Sequence, residues 1–136
     1  MNRRIMLGSV AGLLAETLAA QTSAAKGDTG RKAVLLQDLP KVTLDNWTVT
    51  AAEISYPPGA SSAQHKHPGF VLGYVLEGEV RMQVKGQPEM TYGVGQMFYE
   101  APGAIHAVSR NASDTRPARF LAMVFAEKGQ PTVVPA

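Results

Sequence analysis

From Trp47 to Tyr56 the chain reads WTVTAAEISY, rich in β-branched and aromatic residues, and it stops at Pro57-Pro58-Gly59, a strong turn signal. This predicts a strand. Phe70 to Leu76 predicts a second, and Glu79 to Lys85, EVRMQVK, alternates polar and apolar with period two and predicts a third. Glu77-Gly78 between them suits a tight hairpin turn, because glycine accepts positive φ. Such a hairpin pairs Leu76 with Glu79, Val75 with Val80, Gly73 with Met82 and Val71 with Val84. Paired residues share a face, so Val71, Gly73, Val75, Val80, Met82 and Val84 form an apolar interior, while Glu79, Arg81, Gln83 and Lys85 point outward. His65 and His67 have the parity of Val71 unless Pro68-Gly69 carries a bulge. Further strands are expected at Met90–Tyr92, Met97–Glu100, His106–Arg110 and Ala118–Ala126, separated by stretches with recognisable turn chemistry. About eight short strands and no convincing helix describe an all-β fold, a small antiparallel barrel.

The chain has 136 residues, room for one domain and one core. Its 13 Gly and 9 Pro are spread along the length, which favours short strands over a helical bundle. The net charge is +2, and removing residues 1–25 takes away two arginines and one glutamate to leave +1. With dispersed basic residues, that balance gives no electrostatic case for nucleic acid. There is no cysteine, which excludes disulfides, a thiol nucleophile, Cys-ligated metal and a Cys-linked lipid anchor. Any bound metal must therefore sit on nitrogen and oxygen ligands.

Residues 1–25 combine Arg3-Arg4, an apolar stretch from Ile5 to about Ala20 and small residues near Ala20 and Ala25. They read as an export signal peptide, of the general secretory type with a twin-arginine signal as the alternative, and they imply a periplasmic or secreted protein. The apolar stretch is too short for a membrane span and contains Glu16, so no stable membrane anchor is expected. Residues 26–32, KGDTGRK, read as a flexible linker, 33–128 as the barrel and 129–136 as a C-terminal tail.

All three histidines of the chain bear on chemistry. His65 and His67 occupy alternate positions and can point to one face, and imidazole is the commonest ligand for zinc, iron, copper and nickel. His106 follows the turn APG and begins a later strand, from which an antiparallel barrel brings it across the interior toward the other two. In these residues the chain resembles the cupins, especially the small single-domain bacterial ones. The first cupin motif, G-x5-H-x-H-x3-4-E-x6-G, is met by Gly59, His65, His67 and Gly78; the second, G-x5-P-x-G-x2-H-x3-N, by Gly95, Gly103 and His106. The resemblance spans about residues 34–127 and implies a double-stranded β-helix barrel with a divalent metal held by His65, His67 and His106.

Three positions depart from the motifs. The glutamate of the first falls at Val71; the proline of the second falls at Ala101, with Pro102 next; its asparagine falls at Arg110, with Asn111 next. Three neutral imidazoles leave the full charge on the ion, which favours anionic ligands and leaves up to three positions open. Cupins with such sites include iron dioxygenases that cleave carbon–carbon bonds of diketone-like or hydroxylated aromatic substrates. The resemblance therefore implies an Fe(II) dioxygenase acting on a small oxygenated molecule, with Zn, Ni, Mn or Cu as other candidate ions. A non-catalytic binding cupin is the first alternative. A metal-dependent isomerase or lyase using Tyr74 or Tyr99, if either faces inward, is the second. Glu100, six residues before His106, is either an acceptor orienting a histidine or bound water, or a surface acid, and Glu53 is a fainter candidate. Val71, Val75, Val80, Met82 and Phe98 are the expected lining of a substrate pocket. On the opposite face Phe70, Leu72, Tyr74 and Leu76 are too apolar to stay wet, which predicts a homodimer or cover by Ala33–Leu39.

Overall fold

The computed structural model describes residues 30–136. The expected signal peptide and most of the expected linker lie outside them. Nine strands are present among the described residues, and no helix: β1 (Trp47–Tyr56), β2 (His65–Lys66), β3 (Phe70–Glu77), β4 (Glu79–Val84), β5 (Met90–Gly93), β6 (Met97–Glu100), β7 (Ile105–Asn111), β8 (Ala118–Glu127) and β9 (Val134–Pro135). They form a four-stranded sheet in the order β1-β8-β3-β6 and a five-stranded sheet in the order β5-β4-β7-β2-β9, antiparallel throughout. The seven long strands fall where the β-rich, alternating or apolar runs between turn signals predict them. The two-residue strands β2 and β9 carry too few residues to show a period.

The expected hairpin between β3 and β4 is not formed. β3 pairs with β6 and β8, and β4 pairs with β5 and β7, so the two lie in different sheets. Glu77 stays in the ladder opposite Arg119, after an irregularity between Val75 and Glu77, and only Gly78 is left between the strands. A single residue cannot reverse the chain, but a bulge and a bend can turn a strand from one sheet into the other. Gly78 makes that corner at φ +66°, and a Cβ there would lie 2.4 Å from the Pro117 carbonyl oxygen. The facing survives, because the alternation changes phase once at the corner: Val71, Val75, Val80 and Met82 are all buried.

Those residues join Tyr56, Phe98, Ala118, Phe120, Ala122 and Val124 in one core between the sheets. Aromatic rings run through it in sequence, Tyr92 against Phe98 at 5.5 Å, Phe98 against Phe120 at 5.6 Å and Phe120 against Tyr56 at 5.7 Å, in tilted or edge-on contacts. Gly73 is what lets Phe98 lie flat across β3, since a Cβ at Gly73 would stand 2.0 Å from the ring. On the outer face Phe70 is buried, stacked on Phe125 at 4.6 Å and flanked by Trp47, while Leu72, Tyr74 and Leu76 are half-buried. Leu35 of the expected covering segment lines a hollow with Met97 and Tyr99, but Val34, Leu36 and Leu39 are exposed.

Asn111, 1 % exposed, ties the β1–β2 corner to the loop after β7. Its amide nitrogen donates to the carbonyls of Tyr56, Pro57 and Arg116, and its oxygen accepts from the Ser113 amide. Two stability outcomes follow from this packing. Gly73→Ala should destabilise the fold by about 1–3 kcal/mol in urea unfolding through overpacking, with partial recovery in Gly73→Ala/Phe98→Leu. Asn111→Ala should cost about 2–4 kcal/mol in the same measurement, because it strands buried carbonyls.

Candidate metal centre

The short β2 places His65 directly opposite His106 of β7, with ring centroids 5.0 Å apart. His106 thus reaches the site from the neighbouring strand and not, as expected, from across the interior. His67 follows β2, and its ring meets that of His65 edge-on at 5.1 Å. Each of these first two rings is fixed from behind. Nδ1 of His65 donates to the Ala63 carbonyl at 2.8 Å, and Nδ1 of His67 donates to the Thr132 carbonyl at 2.5 Å. A carbonyl only accepts, so each Nδ1 carries the hydrogen and each Nε2 keeps a free lone pair.

The fourth member is Glu100. It ends β6 on the inward parity of Phe98 and is only 5 % exposed. Its Oε2 lies 3.7 Å from His67 Nε2 and its Oε1 lies 2.5 Å from His106 Nδ1. One ligand atom from each of His65, His67, Glu100 and His106 falls within 4.8 Å of all the others. Of the two roles open to Glu100 from the sequence, a surface acid is the one its burial overturns. The register explains its presence: Glu100 is the cross-strand partner of Val71, the residue at the motif glutamate position. The carboxylate is thus supplied on the same face by the strand next to the motif position.

Glu100 Oε1 and His106 Nδ1 are close, but they make no hydrogen bond to each other or to any other group. A buried carboxylate oxygen without a donor is costly. Both atoms are buried without a hydrogen-bond partner, a cost that a cation lying beside the pair would relieve, and three imidazoles with a carboxylate suit a divalent transition metal. The four residues therefore fit a metal ion. With Glu100 among them the site carries one negative charge, so the full +2 expected from imidazoles alone is reduced to +1.

Two local features bring these side chains together. Ala101-Pro102-Gly103-Ala104 is a turn with Gly103 at φ +73° and a 3.1 Å bond from the Ala104 amide to the Ala101 carbonyl, and the Gly103 amide also donates to the His67 carbonyl. Pro102 occupies the second turn position, so the one-step offset of the motif proline is a shift within the turn. In β7, Val84 pairs with His106 but Gln83 with Val108, leaving Ala107 as the extra residue of a bulge. The bulge turns Ser109 and Asn111 inward alongside His106, and it accounts for the extra residue between His106 and Asn111.

A cavity of about 400 Å³ opens over the four residues. Of the expected lining, Val71 and Phe98 border it; Val75 and Val80 are in the packed core, and Met82 borders a separate small hollow. The remaining wall comes from Thr50, Ala52, Ile54 and Tyr56 of β1 and from Phe120, Ala122 and Val124 of β8. Their signal was the alternation of both strands with small residues on the inner parity. Ala52 pairs with Ala122 and Thr50 with Val124, and those small pairs leave the space. Thr132 and Val133, in the expected tail, also border it, and β9 pairs His65 with Pro135. Tyr74 and Tyr99 take the outward parity and do not border the cavity; Tyr99 lines an outer hollow, where burial pushes its phenol pKa up. Glu53 is outside as well, paired with Arg119 at 2.7 Å.

Glu100→Gln should weaken metal binding by about 10–100-fold in equilibrium dialysis. Val71→Glu added to Glu100→Gln should recover most of it, because the two positions are paired across the ladder. Failure of both would make Glu100 a bystander.

A search among curated protein sequences finds no match. Among solved structures, an uncharacterized conserved protein with a double-stranded beta-helix domain from Klebsiella pneumoniae is 20 % identical with a TM-score of 0.55, over 65 % of this chain and 74 % of that one. A predicted oxalate decarboxylase from Thermotoga maritima is 29 % identical with a TM-score of 0.50, over 58 % and 66 %. Oxalate decarboxylase from Bacillus subtilis, described for its Mn(II) centres, is 25 % identical with a TM-score of 0.55; 65 % of this chain matches 24 % of its length. The Cupin domain family model matches residues 52–124. That match runs from the middle of β1 through most of β8 and includes all four residues of the cluster: the chain belongs to the cupin family.

Proposed function

We propose that the chain is an exported, metal-dependent cupin enzyme of the dioxygenase type, with Fe(II) on His65, His67, His106 and Glu100, acting on a small and mainly apolar molecule that carries an oxygen donor. The cavity is the observation that carries the reading. Its wall sets four ligand side chains among Val71, Phe98, Phe120, Ala122 and Val124, and neither Lys nor Arg borders it. An ion held by these four residues would keep part of its coordination open to small ligands. A bound ion would supply Lewis acidity toward the substrate oxygen and a redox centre for O₂. The protein's own contribution is to fix the imidazole rings from behind, hold one carboxylate beside the open face and exclude water with the valine and phenylalanine wall.

The charge balance argues for a neutral or singly charged substrate. Glu100 removes the strong preference for anions that a three-imidazole site would have, and a dianion would lack a cationic partner in the wall. Glu100 also answers the main support for a non-catalytic binding cupin, the valine at the motif acid position. The isomerase or lyase reading loses its proposed acid or base, since Tyr74 and Tyr99 do not border the cavity.

Protein purified without a histidine tag and loaded anaerobically with Fe(II) should consume O₂ on a panel of β-diketones and catechols, and His106→Ala should not. Turnover without O₂ consumption would replace the dioxygenase with a lyase or decarboxylase type. Stable metal with no turnover would leave a binding protein. The same reading includes export through residues 1–25 and a homodimer. The dimer is supported by exposed Val34, Leu36, Leu39 and Leu44 ahead of β1, and sedimentation at micromolar concentration should give twice the monomer mass.

A further inference from the structure

The metal cluster is one polar region of the cavity, and a second borders the same space. The Tyr56 hydroxyl lies 2.5 Å from Ser62 Oγ and 2.8 Å from Ser109 Oγ, and all three residues border the cavity. Tyr56 and Ser109 are 7 % and 4 % exposed, whereas Ser62 is open to solvent. Ser109 faces inward only because of the bulge at Ala107. Three residues along β7 from His106, it stands roughly 10 Å from the metal cluster at the usual rise per strand residue.

A proton count shows what this group can do. Three hydroxyls carry three hydrogens, and the two contacts among them use two. None of the three hydroxyls has a further hydrogen-bond partner among the described residues. With the chain running inward to outward, the spare hydrogen sits on Ser62 and reaches solvent. Reversed, it sits on Ser109, and with both serines donating to the phenol it sits on Tyr56. Either of these last two orders leaves a donor in the buried wall. Reordering requires only hydroxyl rotations, so an acceptor entering the cavity selects the donating arrangement, and without one the spare hydrogen turns to water.

The geometry points to Tyr56 and Ser109, backed by Ser62, as a hydrogen-bonding subsite for a second oxygen of the substrate, an acceptor such as a carbonyl, at the end remote from the metal. The ligand class is then a small molecule with two oxygen functions joined by an apolar body that lies against Phe98, Phe120 and Ala122. This rests on the metal reading above for the first oxygen.

The test uses Co(II)-loaded full-length protein and two matched series of straight-chain hydroxamates of increasing length. One series ends in a methyl group and the other in a methyl ketone, and binding is followed by the Co(II) absorption. At one length the ketone should bind about five- to tenfold more tightly than its alkyl match. In the double variant Tyr56→Phe/Ser109→Ala, checked for an unchanged circular dichroism spectrum, that ratio should fall to one or below, since an unpaired carbonyl in an apolar wall is penalised. A ratio near one at every length in the native protein overturns the subsite and leaves the metal reading intact. So does a ratio that survives in the double variant. If no hydroxamate perturbs the absorption, the metal reading falls and the subsite falls with it.

Discussion

A carboxylate held at 5 % exposure, with one oxygen facing an imidazole nitrogen that it does not hydrogen-bond, is the constraint around which this fold is arranged. Left alone, such a charge would unfavourably bury itself in a wall of valine and phenylalanine. Shared with three imidazoles around a cation, it becomes the anchor of the barrel's interior. The surroundings are consistent with that role. β2 is only long enough to set His65 against His106, the Pro102-Gly103 turn clamps the His67 carbonyl, and Thr132 fixes the far side of the His67 ring.

The two irregularities of the sheets serve the same end. The corner at Gly78 moves the chain from one sheet to the other and lets β3 and β4 cover opposite sides of a single interior. The bulge at Ala107 adds one residue to β7, so that His106, Ser109 and Asn111 all face inward although strict alternation would separate His106 from Ser109. One of these residues belongs to the metal cluster, one to a hydroxyl group of the cavity wall and one to a structural hydrogen-bond network.

Much of this was legible in the chain. The seven long strands follow from β-rich or apolar runs and the turn residues between them, and the convergence of His65, His67 and His106 was implied by the resemblance to the cupin motifs. Strand partners were not legible, because period two fixes which face a residue takes and says nothing about its neighbour in the sheet. A hairpin and a corner at Glu77-Gly78 bury the same valines. For the same reason Glu100 stayed ambiguous: its nearness to the histidines depends on β6 pairing with β3 opposite Val71, a register no local signal carries. Tyr56 went unnoticed as a cavity residue because at the end of an apolar strand it reads as core, and its hydroxyl partner Ser109 is turned inward only by the bulge. The contribution of Thr132 and β9 was hidden by their brevity.

The pairing of Ala52 with Ala122 has a consequence for how such a barrel diversifies. Neither alanine is a member of the metal cluster, yet together they set how far the chamber extends between β1 and β8. Exchange of one methyl for an isopropyl group there would shorten the guest that fits while every metal-binding atom stays where it is. Lineages could therefore change diet without touching their chemistry, and shared ligands between two such proteins are a poor guide to shared guests.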